Sequence, residues 1–469
     1  MNGHKTGQKA LLGILSAGLS ILLLAGCKGV QQPSERQARE NLSSVSRQYR
    51  PEGRRPQAPN LGANTTLSGF LAYALLNEPR VEAAYFDWAA SVENITTERS
   101  LPDPQLTFQM YIARVVTSVM PGLMQEFPGP GKRGMRAKAA SAASQVRYFD
   151  FENAVLQTAF ALKRAYYRLW FLNENIKINR QMLNLLAELE QSARGQNAVG
   201  KVTLQDVYRA QIEEDRLSNE IANLEDSRHP LRAEFKAALG MTREQPDPPE
   251  PAQFEATTME LAPEQLLAVA FARNPQLKAM EAQVRQAQAS LDLAYKVKVP
   301  DFSLGMSADA LASPTLYWPQ ASISLPLWRD KIAAQIASAQ AGRRAAQARQ
   351  TSGQIMVTAD FAVKSYDYRE ITRNLSLLQD KLIPKARKSL EIARAGYLAG
   401  QIDFFNLTDA ERTLLNFQLE EVEARTRREI VLADLSLSVA GMAPEGSPIL
   451  PPSPGDAAAS SAAPGRLTR

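Results

Sequence analysis

GMRAKAASAASQVRYFDFENAVLQTAFALKRAYYRLWFLNENIKINRQMLNLLAELEQSAR, residues 134–194, runs without a proline and with one short polar break at 173–175. Read on a seven-residue repeat, Val155, Leu162, Leu169, Ile176 and Leu183 fall on one line, with Thr158, Ala165, Leu172, Asn179 and Leu186 three places after each. That spacing predicts a coiled-coil seam. Roughly sixty helical residues at about 1.5 Å each make a rod on the order of 90 Å, several times the length of a helix in an ordinary globular domain. The fold must have a use for that reach.

The chain of 469 residues is 45% hydrophobic and 22% charged, enough apolar material for a core. Its 28 prolines gather near 51–59, 102–130, 246–263, 300–326 and 444–464, and the intervals between are rich in Ala, Leu, Gln and Arg, all good helix formers. The formal net charge of +5 does not point to nucleic acid, because Lys and Arg alternate with Asp and Glu and no basic patch interleaved with aromatics stands out. A solvated helix face explains it.

Residues 1–26 read as a targeting segment, with Lys5 and Lys9 ahead of an apolar run from Leu11 to Leu24 that is short for a bilayer-spanning helix. The run closes on Leu24-Ala25-Gly26-Cys27, which resembles a bacterial lipobox, and Cys27 is the single cysteine of the chain. Lipidation at Cys27 is expected, and disulfides within the chain are excluded. Lys28 rather than Asp follows it, which by analogy with enteric lipoproteins favours the outer membrane. Residues 27–64 are expected to be an N-terminal linker. Residues 443–469, mostly Pro, Ala, Ser and Gly, are expected to form a disordered tail.

Between these ends the chain repeats itself at a spacing of about 200 residues. Asn77-Glu78-Pro79 is echoed by Asn274-Pro275, Phe127-Pro128 by Leu325-Pro326, and SARGQNAVGKVTLQDVYRAQ (192–211) by IARAGYLAGQIDFFNLTDAE (392–411). Gly200 falls on Gly400 and Ala210 on Ala410, and the copies close at Leu239-Gly240-Met241 and Ala440-Gly441-Met442. Two repeats are expected, 65–242 and 261–442, joined by a linker at 243–260. Each has the plan of a helix, short strands, a very long helix, a tight turn and a returning helix.

The strands alternate. Leu106, Phe108, Met110 and Ile112 take turns with Thr107, Gln109 and Tyr111, ahead of a less regular return strand at 123–127. In the second copy Phe302, Leu304, Met306 and Ala308 alternate with polar residues or Gly305, and so do Ala321, Ile323, Leu325 and Leu327. One face is apolar and the other polar. A small hairpin packed on helices would read the same way. The lengths nonetheless approach the nine to eleven residues, roughly, that cross a bilayer at a tilt, and Tyr111, Tyr317 and Trp318 lie near strand ends, where interfacial aromatics belong. Four strands cannot close around a lumen and open edges are not tolerated in lipid, so a membrane reading demands an oligomer. Three copies would supply a dozen strands.

The turns carry the most specific sequence. Gly200 and Gly400 permit a left-handed backbone where a long helix ends, and Thr203 and Asp403 are placed to start the returning helices. Leu217, Ile221, Leu224, Leu231 and Phe235 then recur at seam spacing. A plain helical hairpin would account for either turn alone, but not for the recurrence of the same Gly, apolar and Ala positions.

With these motifs, residues 65–442 resemble the TolC-type outer-membrane efflux ducts. The resemblance implies a mainly α protein with a β-barrel portion: a tandem-repeat TolC-like α/β-barrel, with long coiled-coil helices and four membrane strands per chain, closed as a homotrimer. It further implies an outer-membrane location with a large periplasmic portion, a periplasmic adaptor and an inner-membrane pump of the RND type as partners, and no cofactor. Carried over position by position, Asp206, Asn406 and Asp409 fall where such ducts line or lock their aperture, and Tyr397 where an aromatic meets a neighbouring helix. Ile402 stands where some members carry a locking arginine, so that latch is in doubt. A threefold acidic ring would attract cations.

Phe127-Pro128-Gly129-Pro130-Gly131-Lys132-Arg133 lacks the spacing of a phosphate loop and reads as a rigid bend from strand to helix, of a kind that looks like the heavy-metal branch of the family. Pro384 is expected to kink the second long helix. The two histidines are His4, in the targeting segment, and His229, so neither a His/Cys metal site nor a His-based triad can be assembled. The reading is of a duct for metal cations or drugs, not an enzyme. A coiled-coil scaffold lipoprotein without a channel, and a type I secretion duct, are the alternatives.

Overall fold

The computed structural model describes residues 31–112, 116–200, 203–257, 263–444 and 449. Cys27, the targeting segment and nearly all of the tail from 443 lie outside the described residues. The elements are α1 (Pro33–Tyr49), α2 (Leu67–Asn77), α3 (Pro79–Arg99), β1 (Gln105–Ile112), β2 (Val116–Phe127), α4 (Lys132–Ala198), α5 (Leu204–Ala238), α6 (Pro263–Arg273), α7 (Pro275–Lys296), β3 (Asp301–Asp309), β4 (Leu316–Ser324), α8 (Arg329–Leu377), α9 (Ile383–Leu398) and α10 (Phe404–Ala433). From α2 onward the order helix, helix, strand, strand, long helix, returning helix occurs twice. The chain forms two compact units, one of residues 84–151 and 276–353 with the first 44, the other of 45–83, 152–275 and 354–469.

The first unit holds one antiparallel sheet in the order β1-β2-β3-β4. Because directly opposed residues share a face, the register fixes both surfaces. Leu106, Leu123, Met306 and Pro319 make one cross-strand row, and Phe127, Phe302 and Ile323 another, with the Phe127 and Phe302 rings stacked at 5.5 Å. Most of this face is bare, with Phe302 at 40% and Phe108 at 69% exposed, while Pro121 and Phe127 of β2 are half-buried. The opposite face carries Gln105, Thr107, Glu126, Ser303, Ser307 and Gln320, with Met120, Met124 and Trp318 among them. Gly122 is required there, because a Cβ would lie 2.7 Å from that of Ser307.

Two strand limits differ from the expected ones. β2 begins at Val116 rather than near Leu123; Pro121 lies opposite Phe108 of β1 and just beyond Gly122, the last residue of β2 paired with β3, so on the β3 side there is no ladder bond for a proline to lose. β4 stops at Ser324, since Pro326 cannot donate and the Leu327 N–H turns back to the Leu325 carbonyl at 2.9 Å. Leu325 and Leu327 therefore lie outside the ladder. Among the described residues no helix is long and apolar enough to cross a membrane.

The proline motif does make the bend from β2 into α4. Asp301 Oδ1 accepts from the Gly129 N–H at 2.6 Å and from Lys132 Nζ at 2.8 Å, and a Cβ at Gly129 would strike the Pro300 carbonyl at 2.4 Å. Arg133 donates to the Arg99 carbonyl at 2.9 Å. The expected N-terminal linker contains α1, whose Glu35 is buried and paired with Arg39 at 3.1 Å and Arg99 at 3.0 Å. Its polar composition concealed it.

The second unit is built on the predicted seam. Val155, Leu162 and Leu169 are wholly buried and Ala165, Leu172, Ile176 and Asn179 nearly so, whereas Leu183 is half-buried and the line passes to Leu186, Leu189 and Ala193. A straight helix drifts against a strict seven-residue repeat, and past Asn179 the drift has moved the seam. Ile221 and Phe235 of α5 are buried and Leu217, Leu224 and Leu231 half-buried. Pro384 is accommodated by a π turn at Leu378–Leu382, from which α9 restarts with the proline in its first turn.

Each copy closes on its own Asn-Pro corner. Gly240 (φ 69°) rests on Asn77 and Glu78, and Gly441 (φ 67°) on Asn274 and Pro275, at distances where a Cβ would come within 2.8 Å and 2.9 Å of backbone. Buried Asn274 donates to the Val439 carbonyl at 2.9 Å. Between the copies, the described part of the linker is clamped to helices. Glu250 binds Arg228 at 2.9 Å and Asn173 at 3.0 Å, Tyr166 and Tyr167 each donate at 2.6 Å to the Gln253 and Glu255 carbonyls, and Phe254 lies between the Trp170 ring and the Arg425 guanidinium.

Candidate functional site

The two hairpin turns belong to the second unit and share one construction. α4 ends at Ala198 and α9 at Leu398, and the following glycines are left-handed, φ 75° at Gly200 and 72° at Gly400. Their amides bond back to the Asn197 and Tyr397 carbonyls at 2.9 and 3.0 Å. A Cβ at either glycine would meet nothing within 4 Å, so glycine is needed for its backbone and not for room.

The returning helices start with side-chain caps at equivalent positions. Thr203 accepts from the Asp206 N–H at 3.3 Å while the Asp206 carboxylate accepts from the Thr203 N–H at 3.2 Å and its hydroxyl at 2.8 Å, a reciprocal capping box. In the second turn Asp403 accepts from the Asn406 N–H at 2.9 Å. Asp206 and Asn406 therefore occupy the same place in their turns. The Asp206 carboxylate is engaged in its cap, whereas the Asn406 side chain and Asp409 are exposed.

Beneath the turns Tyr397 is 2% exposed, in a cluster with Leu189 of α4, Ala210 of α5, Ala393 of α9, and Phe404 and Leu407 of α10. Its ring meets that of Phe404 edge-on at 5.8 Å. Burial, helped by the nearby Asp206 carboxylate, raises the phenol above its ordinary pKa. The two hairpins are further tied by Arg412 to Glu213 at 2.7 Å and Arg394 to Glu188 at 3.5 Å. Around the turns Val199, Leu204 and Tyr208 of the first copy and Leu398 and Phe405 of the second stand 55–68% exposed. Ile402 closes over Gly396, where a Cβ would lie 2.6 Å from its Cδ1.

Among the described residues no group of three or more His, Cys, Asp or Glu is placed to hold a metal ion. His229 is exposed on α5 beside Pro230, and His4 lies outside the described residues. Sequence reasoning missed Glu411, which is 1% exposed, one residue past the recurring Ala410. The signal available was the pairing of the two copies, which sets Glu411 opposite Gln211.

Two long coiled hairpins with capped turns, and a four-stranded sheet with one exposed apolar face, make a repeated architecture that has counterparts among known proteins. Residues 266–441 match the family described as outer membrane efflux protein. The cobalt-zinc-cadmium resistance protein CzcC of Cupriavidus metallidurans is 22% identical over 357 residues, 76% of this chain and 85% of the relative. The outer membrane protein VceC of Vibrio cholerae shares the fold at a TM-score of 0.69 and 17% identity, covering 81% of this chain and 97% of its own. The MtrE outer membrane channel of Neisseria gonorrhoeae, in its open state, gives 0.70 and 16%, over 84% and 99%. The chain has the TolC-type α/β-barrel fold of these solved channels, and its second half, residues 266–441, carries the match to the outer membrane efflux protein family.

Proposed function

We propose that this chain is one third of a passive exit duct, a homotrimer in which three sheets close a barrel in the outer membrane. A periplasmic adaptor and an inner-membrane RND pump deliver cargo to it. The observation that carries this reading is the sheet. Both β1 and β4 have an unpaired edge among the described residues, and each strand has exposed apolar residues on one face of the sheet. An open edge and an exposed apolar surface are each a liability in water, and closure in lipid removes both.

A second seam supports assembly. Besides the buried line through Phe361, Tyr368, Ile371 and Leu375, α8 carries Ile355, Val363, Tyr366 and Leu377 on a face 44–65% exposed, as a helix awaiting a neighbour would. In this reading the repeats span 65–242 and 261–442, Cys27 carries the lipid that pins the duct to the membrane, and the exposed apolar residues at the turns receive the adaptor. Asn406 and Asp409, repeated three times, line the aperture and favour cations, while Asp206 acts on the field from within its cap. Divalent heavy-metal cations are the proposed cargo, since the relative CzcC is named for cobalt, zinc and cadmium resistance.

Single-channel recording of the purified full-length protein in planar bilayers tests the reading, paired with the resistance profile of a deletion strain. Stepwise cation-selective conductance is expected, with sensitisation to cobalt, zinc and cadmium. A scaffold lipoprotein would conduct nothing, and loss of a secreted protein without metal sensitivity would assign the duct to type I secretion.

A further inference from the structure

The tip hairpins match position for position, so equivalent side chains can be compared directly. In the first, Glu190 of α4 is buried but satisfied, accepting from Gln211 of α5 at 2.7 Å and from Arg194. The equivalents of Glu190, Arg194 and Gln211 are Leu390, Arg394 and Glu411. The carboxylate has moved to the opposite helix, and a leucine stands where its partner would be. Glu411 is 1% exposed and neither carboxylate oxygen has a hydrogen-bond partner among the described residues.

A buried ionised carboxylate without donors is costly, so this seam favours the neutral acid. Among the described residues the charge felt at Glu411 is that of the Arg394 guanidinium on α9, which is itself held by Glu188 at 3.5 Å on the surface. The other charges on the packed elements are engaged elsewhere or face solvent. Glu190 is held by Arg194 and Gln211, Asp206 by its cap, and Glu213 by Arg412, while Arg387, Lys388, Glu391 and Asp409 are exposed.

We propose that Glu411 is a proton-operated latch in the second tip hairpin. With its proton in place it stays inside the seam between α9 and α10. Once the proton passes to water, the carboxylate leaves the seam or draws Arg394 away from Glu188, and the packing beside the Gly400 turn loosens. Only the consequence for flow rests on the duct reading; the latch itself does not. Burial pushes the Glu411 carboxyl up to about 7, above its ordinary 4.5, so its stabilising contribution is full below about pH 4.5 and is lost as pH rises through about 7.

Hydrogen exchange of the full-length protein tests this, comparing peptides from 383–415 with those from 183–215 at about pH 5.5 and about pH 8.5, each rate corrected for intrinsic chemistry. Protection of the second hairpin is expected to fall by about tenfold or more at the higher pH while that of the first is unchanged. Glu411→Gln should abolish the difference. Leu390→Gln, which supplies the donor that Gln211 gives Glu190, should move it to lower pH and serves as the test should Glu411→Gln fail to fold. Equal response in both hairpins, no response, or a response that survives Glu411→Gln or is unmoved by Leu390→Gln overturns the latch. A protein that shows the exchange response without conducting would instead sink the duct and leave the latch standing.

Discussion

Three glycines with nearly the same φ do different work. At Gly200 and Gly400 an added Cβ meets open space, so alanine carries only the strain of a left-handed backbone, about 1–2 kcal/mol. At Gly240 the same strain is joined by contact with the Glu78 backbone at 2.8 Å, in a corner where neither partner can yield cheaply. Thermal melting should therefore rank Gly240→Ala well below Gly400→Ala, with Gly200→Ala close to the latter; equal melting temperatures for all three would show that the Asn-Pro corners do not bear on stability. At this scale the sequence was informative where geometry forces a residue type, as with the turn glycines and the Thr203 cap. It was silent on Glu411 because burial of a carboxylate leaves no local pattern. Only the contrast with Gln211 and Leu390 marks it.

Among elements, periodicity carried α4, β1 and β3 because each has one apolar face, and it caught only part of β2 and β4, which begin at Val116 and Leu316, ahead of their alternating stretches. It failed where another force set the limit. The ladder of β4 ends on Pro326 rather than on the last alternating leucine, and the seam leaves Leu183 because a helix of 67 residues cannot hold a strict heptad while straight. α1 and the linker at 243–257 were illegible for the same reason, since polar segments held by ion pairs and carbonyl contacts have no hydrophobic period. The linker is nonetheless anchored. Replacing half-buried Phe254 by Ala removes its contacts with Trp170, Tyr167 and Arg425 and should lower stability by about 2 kcal/mol, less than for a fully buried ring. A urea midpoint unchanged by this substitution would mean that the linker merely lies on the helices.

For the whole molecule, the sheet and α8 present surfaces that the single chain leaves unsatisfied: two strand edges, an exposed apolar face and a second line of apolar residues along α8. Assembly in lipid answers all three, pairing the edges and covering the α8 line with neighbouring chains and the apolar face with lipid, which a solitary scaffold would not. The most direct measurement is the mass of the full-length protein extracted in mild detergent, by native mass spectrometry, with its electrophoretic mobility before and after boiling. Three chains in one β-rich species that dissociates and shifts on heating are predicted; a stable, well-folded monomer with unchanged mobility would contradict the account.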